Sequence, residues 1–248
     1  MRLFPARAAA ILGSALLAAA TIASAAARAE TIVVAELYTS QGCNSCPPAD
    51  ALLGKLAERD DVVALSFHID YWDYLGWRDR FAKPEHTARQ HAYKSAMRIR
   101  AVYTPQLILQ GQEGLVGHHA DKIANAIAAR KTDGVRANVA ATREANAIRV
   151  AVSPAGGPLD GPADVWAFGY DGPHDIVIER GENAGKTLTY HNVVRTMRRV
   201  AVWDGRTEQS FAFAPEGPAG LDYAIVVQSG DGSDDRKIGP ILGAAVAR

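Results

Sequence analysis

A chain that runs as a strand up to Tyr38 and as a helix from Ala49 must turn the corner between them, and that corner holds the only two cysteines of 248 residues. It reads Tyr38-Thr39-Ser40-Gln41-Gly42-Cys43-Asn44-Ser45-Cys46-Pro47-Pro48. Upstream, Ile32-Val33-Val34-Ala35-Glu36-Leu37-Tyr38 is β-branched and apolar on both faces, the pattern of a central parallel strand, with Glu36 its exception. Downstream, Ala49, Leu52, Leu53, Leu56 and Ala57 recur at helical spacing, and Pro47 and Pro48 suit a first helical turn, where a missing amide proton costs nothing. Val62 to Ile69 is a second buried strand. Strand, helix and strand make a βαβ unit with a parallel pair and a right-handed crossover. Two thiols three residues apart at a strand-to-helix junction are the mark of a reversible dithiol/disulfide couple.

The compartment bears on those thiols. Arg2 and Arg7 precede an apolar run from Ala8 to Ala23, and Ala27-Arg28-Ala29 offers a cleavage site before Glu30, with Ala23-Ser24-Ala25 as a second. Residues 1–29 therefore read as a secretory signal peptide. The apolar run is shorter than the roughly 20 residues of a spanning helix, so no membrane anchor is expected after cleavage, and the product is periplasmic or secreted. Loss of Arg2, Arg7 and Arg28 leaves 24 of 27 basic residues against 27 acidic ones, a net charge near −3 that gives no support to nucleic acid as a partner. Exported domains mostly use disulfides as staples between distant segments. A pair closing so small a loop removes little chain entropy, which points to chemistry instead of stability.

Farther along, Asp70-Tyr71-Trp72-Asp73-Tyr74-Leu75-Gly76-Trp77 is an aromatic and acidic loop. Pro84 opens a helix running to about Arg98. Ala88, Ala92, Tyr93 and Ala96 supply its apolar side, while His86, Arg89, His91, Lys94 and Arg98 are expected at solvent. A strand beginning at Thr104-Pro105 is a place where a cis peptide is tolerated. Leu115-Val116 is a short partner strand, and a last helix starts at Asp121. After Lys131-Thr132-Asp133-Gly134 the texture changes to short alternating runs separated by Gly- and Pro-rich turns, which read as an antiparallel sandwich or sheet packed beside the first domain. The expected division is 30–132 for an α/β domain and 133–248 for a β-rich one.

The order of elements, with C-x-x-C at a helix start and a later Thr-Pro step, resembles the thioredoxin-like fold over about Glu30 to Arg130. Leu37-Tyr38-Thr39-Ser40 and Thr104-Pro105-Gln106 are similar in wording to glutaredoxins. More closely, Cys43-Asn44-Ser45-Cys46-Pro47-Pro48-Ala49-Asp50, His68-Ile69-Asp70-Tyr71-Trp72-Asp73 and Arg180-Gly181-Glu182-Asn183-Ala184-Gly185 resemble the exported bacterial proteins grouped as domain of unknown function family 1223. That resemblance covers nearly the whole mature chain and implies no substrate. The thioredoxin likeness implies that a buried acid relays the proton of the resolving cysteine. Glu36 resembles that acid, with one more residue in the loop; otherwise it is a strand-end carboxylate facing water.

The chemistry expected is thiol–disulfide exchange with a protein client or redox partner. Cys43 holds the exposed place, where the helix N-terminus favours a thiolate, and attacks; Cys46 resolves the mixed disulfide. Pro105 and Thr104 position the client backbone, and His68, Asp70 and Trp72 stand on the same carboxyl edge of the sheet as substrate-binding candidates. No cofactor beyond the disulfide is expected. A second reading is a copper-handling protein using Cys43, Cys46 and His68, since thiolate and imidazole suit that metal. A third is a binding module with a vestigial redox site. His118-His119 is a weak metal pair, because adjacent strand residues face opposite ways. Gly230-Asp231-Gly232-Ser233-Asp234-Asp235 lacks calcium-loop spacing and reads as a turn.

Overall fold

The computed structural model describes residues 31–248, so the expected signal peptide lies outside the described residues. The chain is a mixed α/β protein with one large central sheet and few helices. β1 (Val33–Thr39) leads to α1 (Pro47–Ala57), and β2 (Val62–His68) pairs parallel to β1 in a register that sets Thr39 beside His68. A 3-10 turn (Asp73–Leu75) and α2 (Pro84–Ala96) follow. β3 (Gln106–Leu109) runs antiparallel to β1 and pairs with β4 (Glu113–Val116), and α3 (Ala120–Asp133) closes this half.

The strands after residue 133 fall in two groups. β5 (Ala137–Arg143), β6 (Ile148–Pro154) and β11 (Gln209–Phe213) make a three-stranded sheet, and β8 (His174–Val177) and β9 (Thr187–Tyr190) make a hairpin. β7 (Ala163–Asp171), β10 (Val193–Trp203), β12 (Asp222–Ser229) and β13 (Ile241–Ala247) join the central sheet, in the order β13-β12-β7-β10-β2-β1-β3-β4. The seam is β10 against β2. It is parallel, with Val193 opposite Ser66, and the Ser66 amide donates to the Asn192 carbonyl at 2.9 Å. The sheet thus runs across the 132–133 boundary that composition suggests.

Strand alternation then sorts the core. On one face α2 covers both halves, and Tyr38, Phe67, Tyr93, Trp166, Phe168 and Val226 form one apolar cluster. On the other, α1 and α3 cover Ala35, Leu37, Leu107 and Leu109, while the three-stranded sheet covers Val165, Ala167, Ile225 and Val227. Among the described residues no helix is long and apolar enough to cross a membrane.

α2 is rotated from the expected setting. Its buried residues are His86, Arg89, Gln90, Ala92 and Tyr93, while Ala88 and Ala96 are exposed. The reason is electrostatic. Glu36 lies fully buried on β1, and Arg89 turns inward to meet it with two parallel bonds of 2.8 Å.

Candidate functional site

Cys43 and Cys46 form a disulfide with Cα atoms 5.4 Å apart. Cys46 is the N-cap of α1, and its carbonyl accepts from the amides of Ala49 (2.8 Å) and Asp50 (3.1 Å). Pro47 and Pro48 have no amide proton to offer. The first turn of α1 therefore lacks the free N–H groups that usually hold an anion, and only the aligned dipoles of the helix remain. The exposed place expected for Cys43 is corrected: only 3% of its surface is accessible, whereas Asn44 and Ser45 stand out to solvent. Cys43 Sγ lies 3.4 Å from the Ser45 hydroxyl.

Distant segments clamp the loop. The Gln41 amide donates to Asp79 Oδ2 at 2.8 Å, and Trp77 Nε1 donates to Gln41 Oε1 at 2.8 Å. Asn183, buried in the turn between β8 and β9, donates from Nδ2 to the carbonyls of Gln41 (3.0 Å) and Cys43 (2.9 Å). Lys186 Nζ in turn holds Asn183 Oδ1 at 2.9 Å. The Arg180–Gly185 stretch thereby acquires a physical role.

Trp72 lies against the other side of this loop, where a Cβ on Gly42 would sit 3.3 Å from its Cβ and its carbonyl oxygen. Its Nε1 donates to Thr104 Oγ1 at 2.7 Å, and the Thr104–Pro105 peptide is cis. Tyr74, 77% exposed, stacks on Trp72. Asp70 accepts from the Thr87 hydroxyl of α2 at 2.6 Å.

Glu36 is not beside Cys46. It shares a sheet face with Val34 and Tyr38, under α2, whereas α1 packs on the face of Ala35 and Leu37. Besides Arg89 it accepts from the hydroxyls of Tyr93 (2.7 Å) and Tyr38 (2.9 Å). Burial opposes the charge of Arg89, but Glu36 and the two tyrosines outweigh it and hold Arg89 above its ordinary range. Arg89 Nη2 also donates to Gln228 Oε1 on β12 at 2.9 Å, so this network ties β1, α2 and β12 together. Its role is structural, and the expected proton acceptor is corrected on that ground.

On the α1 face the polar residues are different. His68 is fully buried and donates from Nδ1 to Asp79 Oδ2 at 2.7 Å. Burial pushes Asp79 up, but His68 and the amides of Gln41 and Phe81 outweigh it and hold the carboxyl below its ordinary range. The His68 ring packs edge-on to Tyr190, with centroids 4.8 Å apart. Asp50, one turn into α1, is 4% exposed. Among the described residues neither of its oxygens has a hydrogen-bond partner, nor have Thr39 Oγ1, His68 Nε2 or the Tyr190 hydroxyl. Burial is the main cause that lifts Asp50 from 3.8 to about 7, with Asp79 adding to it. His68 and the Thr39 hydroxyl pull the other way, the latter near enough to weigh on the carboxyl without a formed bond.

No three His, Cys, Asp or Glu side chains among the described residues are placed to hold a metal ion. Sequence reasoning missed Asp50, Asp79 and Asn183. The spacing of Cys46 and Asp50, four apart on a helix, was a usable signal for the first.

Fold and site together define a mixed α/β protein with a buried C-x-x-C disulfide at the start of its first helix. The family described as protein of unknown function (DUF1223) matches residues 34–228, and the chain belongs to that family. The crystal structure of protein AGR_C_4864 from Agrobacterium tumefaciens is similar at 32% identity and a TM-score of 0.73, over 88% of this chain and 94% of that one. HBP35 of Porphyromonas gingivalis shares the fold at 17% identity and a TM-score of 0.65, over 88% of this chain and 74% of that one. A search of the curated proteins finds no match.

Proposed function

We propose that this chain is an exported thiol–disulfide oxidoreductase whose first part, residues 30–132, is a thioredoxin-like unit extended by the β-rich residues 133–248. The observation that carries this reading is the Cys43–Cys46 disulfide at the start of α1. It closes a loop too short to add much stability, and it stands where a helix dipole favours a thiolate. In the direction that consumes a client disulfide, the Cys43 thiolate attacks one client sulfur and the other leaves as a thiolate that takes up a proton. Cys46 then loses its proton and attacks Cys43 Sγ. The bond from Cys43 to the client breaks, the second client sulfur leaves as a thiolate, and the protein is oxidised by two electrons as the client is reduced. Trp72 and Thr104 beside the loop are the surface on which a client chain would lie, with Tyr74 as its exposed rim.

Trapping tests this. The Cys46→Ala variant, expressed with its N-terminal segment, is expected to accumulate exported proteins linked to Cys43, released by reductant and lost in Cys43→Ser. A reduced wild-type protein that exchanges with disulfides no faster than a simple dithiol would overturn the reading.

A further inference from the structure

The resolving step requires Cys46 to lose a proton inside the protein, since Cys46 is fully buried. We infer that Asp50 is the group that takes this proton, within a buried pocket of polar side chains completed by the β8–β9 hairpin. The inference rests on the thiol–disulfide reading and supplies its missing acceptor.

Three observations carry it. First, Cys46 has helical backbone angles and Asp50 is four residues on, with its amide bonded to the Cys46 carbonyl. Residues so spaced lie one above the other, and side chains lean toward the helix N-terminus, so the Asp50 carboxyl leans toward Cys46. Second, a buried carboxylate without partners is costly, and burying one is tolerated mainly when it can be neutral. Asp50 is of this kind, and with the cysteines joined as a disulfide it is set to hold a proton near neutral pH. Third, buried polar groups near it lack partners, namely Thr39 Oγ1, His68 Nε2 and the Tyr190 hydroxyl. Thr39 comes from β1, His68 from β2, Asp79 from the loop after it, and Tyr190 from β9. Tyr190 is pushed far up by burial first and then by the charges of Asp50 and Asp79, so its hydroxyl stays neutral. One helical turn farther, Gly54 lets His191 approach so closely that a Cβ would sit 2.7 Å from the ring, closing α1 against the hairpin.

In the step itself the Cys46 thiol proton passes to the Asp50 carboxylate while the Cys46 sulfur bonds to Cys43 Sγ. The client sulfur leaves with the electron pair of the broken bond. Asp50 ends protonated, keeps that proton while the disulfide stands, and returns it to the Cys46 sulfur when the disulfide is next reduced.

The reduced protein mixed with an aromatic disulfide, 5,5′-dithiobis(2-nitrobenzoic acid), separates the two steps. Attack by Cys43 releases the first coloured thiolate and resolution by Cys46 releases the second. Asp50→Asn is expected to leave the first release unchanged and to slow the second by about 10²-fold near pH 7, the usual worth of a positioned acid–base group. The deficit should close as pH rises far enough to ionise Cys46 unaided, and Asp50→Glu should recover part of the rate. A second release with unaltered rate and pH profile overturns this inference alone. No burst from the wild-type protein overturns it together with the redox reading. Should Asp50→Asn fail to fold, infrared difference spectra of the wild-type protein decide: a protonated-carboxyl band must change between oxidised and reduced states, and its invariance overturns the assignment.

Discussion

Two carboxyl groups, Glu36 and Asp50, are buried on opposite faces of the same sheet, and they are treated in opposite ways. Glu36 receives a guanidinium and two tyrosine hydroxyls. Asp50 receives nothing from the described residues. A fully bonded buried charge holds elements in register, and here it joins α2 to strands from both halves of the chain. An unbonded one is a place where a proton is easily gained or lost. On the thiol–disulfide reading proposed above, the contrast gives one face a structural role and the other a chemical one.

The sharpest way to break the comparison is to remove one partner of the bonded pair. Glu36→Gln leaves Arg89 buried without its counter-charge and should cost about 3–5 kcal/mol in urea unfolding. The double variant Glu36→Leu with Arg89→Met should recover most of this. If Glu36→Gln unfolds like the wild type, the network is not what ties α2 to the sheet.

Asp50 should behave in the reverse sense. The folded chain holds its proton where the unfolded chain, at 3.8, has lost it, so the folded state is favoured at low pH. Stability should fall as pH rises from about 4 through about 7, by up to about 4 kcal/mol. Asp50→Asn should abolish that slope and be the more stable protein at pH 8. Urea titrations across this range decide it, and a slope that persists in the variant belongs to another group.

Asn183→Ala comes next in size. It leaves two buried carbonyls of the cysteine loop without their donor and should cost about 2 kcal/mol, with faster hydrogen exchange at the Gly42 and Cys43 amides. Unchanged exchange at these amides would mean that Asp79 and Trp77 hold the loop without it.

These residues also show what the sequence could and could not tell. The elements from β1 to α3 were legible because apolar runs and turn residues are local signals, as was the pairing of the two cysteines. Strand alternation puts Glu36 with Val34 and Tyr38, but nothing local says which face α1 will cover. Asp50 was readable from helical spacing alone. Asn183 was not, since it reaches Cys43 across 140 residues of sequence. A charged residue on a helix reads as solvent-facing, so Arg89 is legible as buried only once Glu36, the one acidic residue of β1, is known to lie under α2. The joining of β10 to β2 is likewise non-local, and composition suggested a boundary where the sheet continues.

The smallest effect concerns Cys43 itself. With prolines at the first two helical positions and the next two amides bonded to Cys46, α1 offers its dipole but no free donor to a thiolate. A side-chain donor stands close by, the Ser45 hydroxyl 3.4 Å from Cys43 Sγ. A hydrogen bond to a charged sulfur outweighs one to a neutral thiol, so its loss must raise the Cys43 midpoint. One bond of about 1 kcal/mol corresponds to just under one pH unit. In the reduced Cys46→Ala background, the pH dependence of alkylation by iodoacetamide should shift upward by about that amount in Ser45→Ala. The shift should leave the pH-dependent stability assigned to Asp50 untouched, because Ser45 lies on the solvent side of the loop and Asp50 beneath it. An unmoved midpoint would show that the helix dipole alone sets the charge at Cys43, and the division of labour would then lie wholly between α1 and the pocket under it.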